Sequence, residues 1–463
     1  MALTLLAATA VSYAAPDAAP SPAAQTGVSG RLIVEADASW WMPWTLMGSA
    51  GSGRVVYLAQ RGNKQFLVVD GVESQAYDAI ETFGFSPDGE RVACAARVGD
   101  ESFVVLDGVE GERYDGIGTE TLIFSPDGSR LTYVAQWGGE YLVVVGEEEG
   151  ERYESIGNNT LVFSPDSERV GYAARSGENW FAVIDGEMSA PYDGIGAGTV
   201  VFSPDSIRVA YGAGLGDERF VVVDGEEGKH YDGIGADNLV FSPDGTRVAY
   251  VAALGEERFV VVDGEEGPSY NGIGTGTVTF GPDSSRLAYA AQRGGEWLVV
   301  VDGQEGKGYD SIGRDTLCFS PDDRRTAYAA QVGGRWLVVV DGEEGEQYDA
   351  IAPGSLMFSP DGRRVAYAAQ AGDKWLVVVD GEEGRLYDDI APGTLAFSPD
   401  GARVAYAAGS GGRWLVVADG VESEAYDSLV TGSRLVFDSP DGLRFLAVTG
   451  NRVYMVEHGI AGT

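Results

Sequence analysis

The side chains that most often carry chemistry are scarce in this chain. Its 463 residues include two histidines, His230 and His458, and two cysteines, Cys94 and Cys318. His230 stands in "EEGKHYD", where parallel phrases place Arg113, Arg152, Gly308 or Leu386, so it reads as a solvated turn residue rather than a catalytic base. The cysteines occupy different slots of distant sequence units and read as small buried thiols, not as a disulfide or a metal pair. No zinc-protease, nucleophile-elbow, paired-cysteine or P-loop motif occurs. "GIGTGT" at Gly272 imitates a dinucleotide loop but opens no helix. The expectation is a protein that is not an enzyme, with no catalytic residue and no cofactor.

Carboxylates, by contrast, are abundant. Asp and Glu number 71 against 32 Lys and Arg, a formal net charge of -39. Nucleic acids and anionic membranes need a basic footprint, so both are excluded as partners. A surface this acidic keeps a protein soluble and monomeric, and suits a cationic partner. The phrase "DGEEG" at Asp224, Asp263, Asp341 and Asp380 offers the hard oxygen ligands that Ca²⁺ prefers. It lacks the ordered donor spacing of an EF-hand, so weak Ca²⁺ association is expected and no defined metal site.

One aromatic slot is suggestive. Trp180, Trp297, Trp336, Trp375 and Trp414 each follow a short variable loop, such as "RSGEN", "QRGGE" or "GSGGR". Large aromatics beside variable loops serve as anchors of protein interfaces. These five are the candidate binding residues for a protein or peptide; the competing reading is that they cap the packing between neighbouring units.

The elements that must position them follow from a repeat. "FSPDGTRVAY" begins at Phe241, with near-copies at Phe85, Phe124, Phe163, Phe202, Phe280, Phe319, Phe358 and Phe397, always 39 residues apart, and a last copy at Phe437. The unit from Thr316 to Gly354 reads "TLCFSPDDRRTAYAAQVGGRWLVVVDGEEGEQYDAIAPG". It holds four short segments rich in Val, Tyr, Trp or Leu, each bounded by Gly, Pro or Asp, which predicts strands joined by tight turns. Runs such as "WLVVVD" do not alternate with polar residues, as expected of a sheet covered on both faces. A four-stranded sheet repeating at this period predicts an all-β fold, a β-propeller.

"FSPDGxRVAY" followed by "xLVVVDG" resembles the PD40 repeat, a WD40-like propeller repeat of TolB-type bacterial proteins, here with "YDGIG" in many copies. That resemblance covers nearly all of residues 43–459. It implies "LCF" as the innermost strand of a blade, "TAYAA" second, "WLVVV" third and "YDAI" outermost. It implies binding rather than catalysis. An acidic cation-binding repeat protein, or a relative of the prolyl-oligopeptidase propeller without its hydrolase domain, are the alternatives.

Within the unit, Arg325 and its counterparts Arg130, Arg247 and Arg403 are expected to meet an acidic residue across a turn. Tyr348 and its counterparts are expected to pack between blades with the hydroxyl bonded. A degenerate copy from Trp44 brings the count to eleven. The last blade lacks an outer strand, while "RLIVEA" at residues 31–36 is an orphan. Joining the two defects predicts one ring of eleven blades closed by an N-terminal strand, with two smaller rings of five and six as the alternative. The domain reading is a truncated signal peptide at 1–14, a disordered Ala/Pro-rich tether at 15–30, the closing strand at 31–36 and the propeller at 37–463. Export to the periplasm or the exterior is expected, with a cytoplasmic location as the alternative.

Overall fold

The computed structural model describes residues 30–37, 39, 41–49, 52–235 and 238–459. The expected signal peptide, and the expected tether up to residue 29, lie outside these residues. Eleven antiparallel sheets follow one another along the chain and form a single ring, an eleven-bladed β-propeller. No α-helix occurs among the described residues, and no helix is long and apolar enough to cross a membrane.

Blade 8 shows how the sequence builds each unit. Its second strand, Thr326–Val332, pairs with its third, Arg335–Val340, with Tyr328 opposite Val339. The hairpin between them turns on Gly333 and Gly334, both at positive φ, 59° and 83°, as a two-residue loop between twisted strands requires. At the other end Asp341 and Gly342 do the same at 53° and 85°. The outer strand then runs through Glu343–Glu344 to Tyr348, which exchanges both backbone hydrogen bonds with Trp336.

Here the expected strand order needs correction. "YDAI" is not one outermost strand. The ladder changes partner between Tyr348 and Asp349, whose N–H donates to Gln370 O of blade 9 at 2.8 Å. Ala350–Ile351 then pairs with Gln370 and Ala369, and Met357–Phe358 with Ala366 and Val365 of the same strand. The inner strand of blade 9 is therefore split in two, and its first half comes from the phrase that completes blade 8.

A hydroxyl stitches the split. In blade 8 the Thr316 hydroxyl donates to Gly313 O at 2.8 Å and accepts from Ala329 N at 3.0 Å. That side chain replaces the ladder bond that the interrupted strand cannot make, so the buried N–H is not left unpaired. Thr121, Thr160, Thr199, Thr277, Ser355 and Thr394 do the same in their blades.

The core lies between blades. At the seam of blades 8 and 9, Ala327, Ala329, Val338 and Tyr348 pack against Ile351, Leu356, Val365 and Tyr367. The alanines of the second strand let neighbouring sheets approach, while each buried Val or Leu contributes about 1.5–3 kcal/mol. Tyr348 also donates from its hydroxyl to Glu383 Oε1 of the next blade at 3.0 Å, as its recurrence predicts. Outer strands such as Glu343–Glu344 are exposed and inner strands such as Cys318–Phe319 half-buried, because the sheets converge towards the ring axis.

Closure follows the complementary defects. Arg31–Glu35 becomes the outer strand of blade 11, with Arg31 opposite Met455 and Glu35 opposite Arg452. Val34 and Ala36 join Val430, Leu446 and Val453 of blade 11, and Val55 and Tyr57 of blade 1, in one buried cluster. On the inner side Gly48 N donates to Thr431 O at 2.9 Å. Blade 11 thus seals against blade 1, and the alternative of two rings is excluded.

Candidate functional site

The ring presents two unlike faces. The lower face carries the "SPDG" turns and the Asp-Gly turns; the upper face carries the hairpins between second and third strands.

On the lower face the recurrent arginine and the aspartate sixteen residues later are paired in blades 1, 2 and 4 to 10. In blade 8 the Asp341 carboxylate accepts from Arg325 Nε at 2.8 Å and from Thr326 N at 2.9 Å. Arg325 also donates to Arg363 O of blade 9 at 2.8 Å, and its guanidinium lies 5.3 Å from the centre of the Phe358 ring. One cation thus ties a hairpin together and staples it to the next blade. Within the turn, the Ser320 hydroxyl donates to Asp322 Oδ1 at 2.6 Å and holds that carboxyl below its usual range. The "DGEEG" aspartates are therefore structural. Among the described residues no three carboxylates, imidazoles or thiols come together as a cation shell.

One seam departs from the pattern. Blade 7 has Gly281 in place of the turn serine, and blade 8 has Asp323 in place of the turn glycine, at φ 62°. The Asp323 carboxylate reaches back, accepting from Asp283 N at 2.9 Å through Oδ2. It fills the room that a serine side chain would take, since a Cβ on Gly281 would lie 2.0 Å from Asp323 Oδ1. That Oδ1 is buried without a hydrogen-bond partner, and burial pushes the Asp323 carboxyl up while Asp283, hydrogen-bonded to it, is pulled down.

The upper face is built differently. Its hairpins are capped by the acidic residue that follows each recurrent tyrosine: Gly333 N donates to Asp310 Oδ2 at 2.6 Å, and Gly372 N to Asp349 Oδ2 at 2.7 Å. Glu154 and Asn271, which replace the aspartate, accept in the same way. The residue just before each hairpin projects outward. Val98, Trp137, Leu215, Leu254 and Val332 are exposed there, in blades 2, 3, 5, 6 and 8. Beside them stand Asp100, Glu101, Glu140, Asp217, Glu218, Glu256 and Glu257, whereas Arg335, Lys374 and Arg413 occupy the hairpins of blades 8, 9 and 10.

The five candidate tryptophans lie one register step inward from these hairpins and are half-buried. Trp336 and Trp375 pack against the seam clusters that follow their blades. Trp297 lines a cavity of about 200 Å³ with Thr275, Ile312 and Arg314. The Trp414 ring lies beside Gly409, and Trp180 pairs through its backbone with Tyr192. Nothing brings the five together into one pocket; they are distributed around the ring. The exposed residues before the hairpins were not singled out from the sequence, although their shared register position in the repeat was visible there.

The remaining reactive groups sit in the scaffold. His230 is not in a turn: it lies in the outer region of blade 5, stacked on Phe220 at 4.3 Å, with Nδ1 2.7 Å from Glu218 Oε2. Cys94 is buried and Cys318 half-buried, neither in a disulfide, and burial pushes both thiols up to about 12.

Among solved structures similar to this chain, a crystal structure of the eukaryotic initiation factor matches with TM-score 0.43 and 13% identity, covering 83% of this chain and 96% of that one. The propeller of Dos1 matches with TM-score 0.35 and 14% identity, over 66% and 94%. TolB from Acinetobacter baumannii matches with TM-score 0.27 and 16% identity, over 56% and 80%. No family model and no curated protein matches the chain. The fold assignment therefore rests on the strand pairings and sealed seams described above.

Proposed function

We propose that this protein is a non-enzymatic scaffold of the PD40, WD40-like kind that docks a basic protein or peptide on its upper face. The observation that carries the reading is the arc of exposed Val98, Trp137, Leu215 and Leu254 set among acidic hairpin residues. Apolar anchors within a charged surround are what a protein interface requires. A net charge of -39 favours a cationic partner and speeds its encounter. On the lower face, by contrast, the recurrent arginines and aspartates are committed to ties within a blade and to the next one, and the closing strand enters the ring from that side. The five tryptophans belong to other blades, 4 and 7 to 10, where each sits beneath its own hairpin; the arc's blades carry Ser102, Tyr141, Arg219 and Arg258 in that slot.

Selection of random displayed peptides against the intact ring tests the reading. Enriched peptides should combine Lys or Arg with Trp, Phe or Leu. Their binding should fall at least tenfold in the triple variant Trp137→Ser, Leu215→Ser, Leu254→Ser and persist in Glu343→Lys on the lower face. Peptides that lose binding only in Glu343→Lys would move the site to the other face.

A further inference from the structure

Blade 3 breaks the lower-face pattern at one residue. Where nine blades place the stapling aspartate, it has Gly146. Of the two residues in that turn only Gly146 has positive φ, 65°, and the outer strand then runs unbroken as Glu148–Tyr153. The arginine of the blade has not moved in response. Arg130 donates to Ser167 O at 3.0 Å and Glu168 O at 2.8 Å, and lies 5.5 Å from the centre of the Phe163 ring. Its counterpart Arg169 donates to Ser206 O and Ile207 O at 3.2 and 3.0 Å, 5.0 Å from the centre of the Phe202 ring.

The backbone donor beside it is also in place. In blade 4, Val170 N donates to Asp185 Oδ1 at 3.0 Å while Val170 O accepts from Asp185 N at 2.9 Å. In blade 3 the second half of that exchange survives, with Gly146 N donating to Leu131 O at 2.7 Å. Leu131 N–H therefore faces the same space, next to Arg130 Nε. No side chain enters that space from Gly146, and a Cβ built there would meet nothing within 4 Å.

We infer that this gap is a binding site for a ligand carboxylate, held by Arg130 Nε–H and Leu131 N–H as the aspartate is held in blades 1, 2 and 4 to 9. The geometry is pre-organised, because the guanidinium is already fixed by two carbonyls and a ring and loses no freedom on binding. Glu147 is the second turn residue, Glu148 follows it, and Glu168 follows the neighbouring Ser167 carbonyl; their charge favours a small or single carboxylate over a polyanion. The site stands on the lower face, so it is independent of the docking reading for the hairpins.

Thermal melts in sodium acetate, against sodium chloride of equal ionic strength, test the inference with acetate itself as the probe. Acetate should raise the Tm of the wild type above its chloride value in a concentration-dependent way. Gly146→Asp, which fills the gap from within, and Arg130→Gln, which removes its cation, should both lack that increment. A second arm compares an acetylated, amidated peptide bearing one Glu with its Gln counterpart. A response to acetate alone assigns free small carboxylates; a response also to the Glu peptide assigns an acidic side chain of a protein. An equal acetate increment in wild type and Gly146→Asp, or no increment in the wild type, overturns the site.

Discussion

Arg325 Nε and Asp341 Oδ2 lie 2.8 Å apart although sixteen residues separate them. The same guanidinium reaches Arg363 O and the Phe358 ring in the following blade. Because both partners of the ion pair are about a third exposed or more, the pair itself contributes little, about 0–1 kcal/mol. The contacts to the next blade carry more. Arg325→Ala should lower stability by about 1–2 kcal/mol, and Arg325→Lys should recover less than half, since one ammonium cannot serve both directions. Urea unfolding of the three proteins checks this, and full recovery by lysine would reduce the staple to a simple ion pair.

The clasp makes a length-dependent prediction. Removing residues 1–28 leaves the strand from Arg31 intact and should change the melting curve little. Removing residues 1–37 exposes the edge of Arg452–Gly459 and uncovers the cluster around Val34 and Ala36. That variant should melt earlier and self-associate through the freed edge. Calorimetry with light scattering separates the two; equal behaviour would show that the closing strand is dispensable.

The irregular seam between blades 7 and 8 can be repaired. Gly281→Ser with Asp323→Gly restores the residues used at most other turns and removes a buried carboxylate oxygen that has no partner. The double variant should be more stable at neutral pH by on the order of 1 kcal/mol. Burial raises the Asp323 carboxyl above its unfolded value, so its penalty grows as pH rises through the folded value and fades in acid. The stabilisation should shrink accordingly when the same comparison is made near pH 3.

Tyrosines set the alkaline limit. Burial raises Tyr367 and Tyr426 from 10.0 to about 12, and raises Tyr328 and Tyr406 in the same direction. A phenol whose folded value is raised contributes stability below the unfolded value and loses it as pH climbs through the folded one. Unfolding should therefore set in between pH 10 and 12, together with a rise in tyrosinate absorbance. In acid the turn aspartates act with the opposite sign. Ser242 pulls Asp244 from 3.8 to about 2, so that stability is present above the unfolded value and lost below it. Tyrosinate absorbance that rises at pH 10 with the fold intact would contradict the buried seam.

Half-buried and exposed tryptophans should part on mutation. Trp336 packs on the seam of blades 8 and 9, so Trp336→Ala should cost about 2–3 kcal/mol, less than the loss of a fully buried aromatic. Trp137 is exposed by 44%, and Trp137→Ala should stay within about 0.5 kcal/mol of wild type while weakening capture of basic peptides. Chemical denaturation and peptide binding measured on the same samples distinguish support from anchor.

The ring and its closure were legible in the sequence because both follow from counting. A fixed period sets the blade, and the orphan segment at 31–36 has a single missing strand to complete. The split inner strand was not legible. Ala350–Ile351 and Met357–Phe358 are two residues each, too short to show a period, and Thr316 reads as the first residue of a strand segment "TLCF" until its hydroxyl is seen taking a ladder bond. "YDAI" misled for a related reason. Strand propensity says that residues are extended but not which sheet they join, and the change of partner at Asp349 depends on the neighbouring blade. On the hairpin face the repeat announced its constant residues, whereas the anchors proposed for binding are those that vary.

The pairing of Arg31 with Met455 and of Glu35 with Arg452 also fixes how the ring answers mechanical load. The two chain ends leave the clasp side by side, at the Arg31 end of an antiparallel pair. Tension between them is borne by one hydrogen bond at a time, so the strand peels like a zipper instead of shearing as a block. A pull at the termini would open the ring at small force, while a pull between two interior blades would have to break whole seams together.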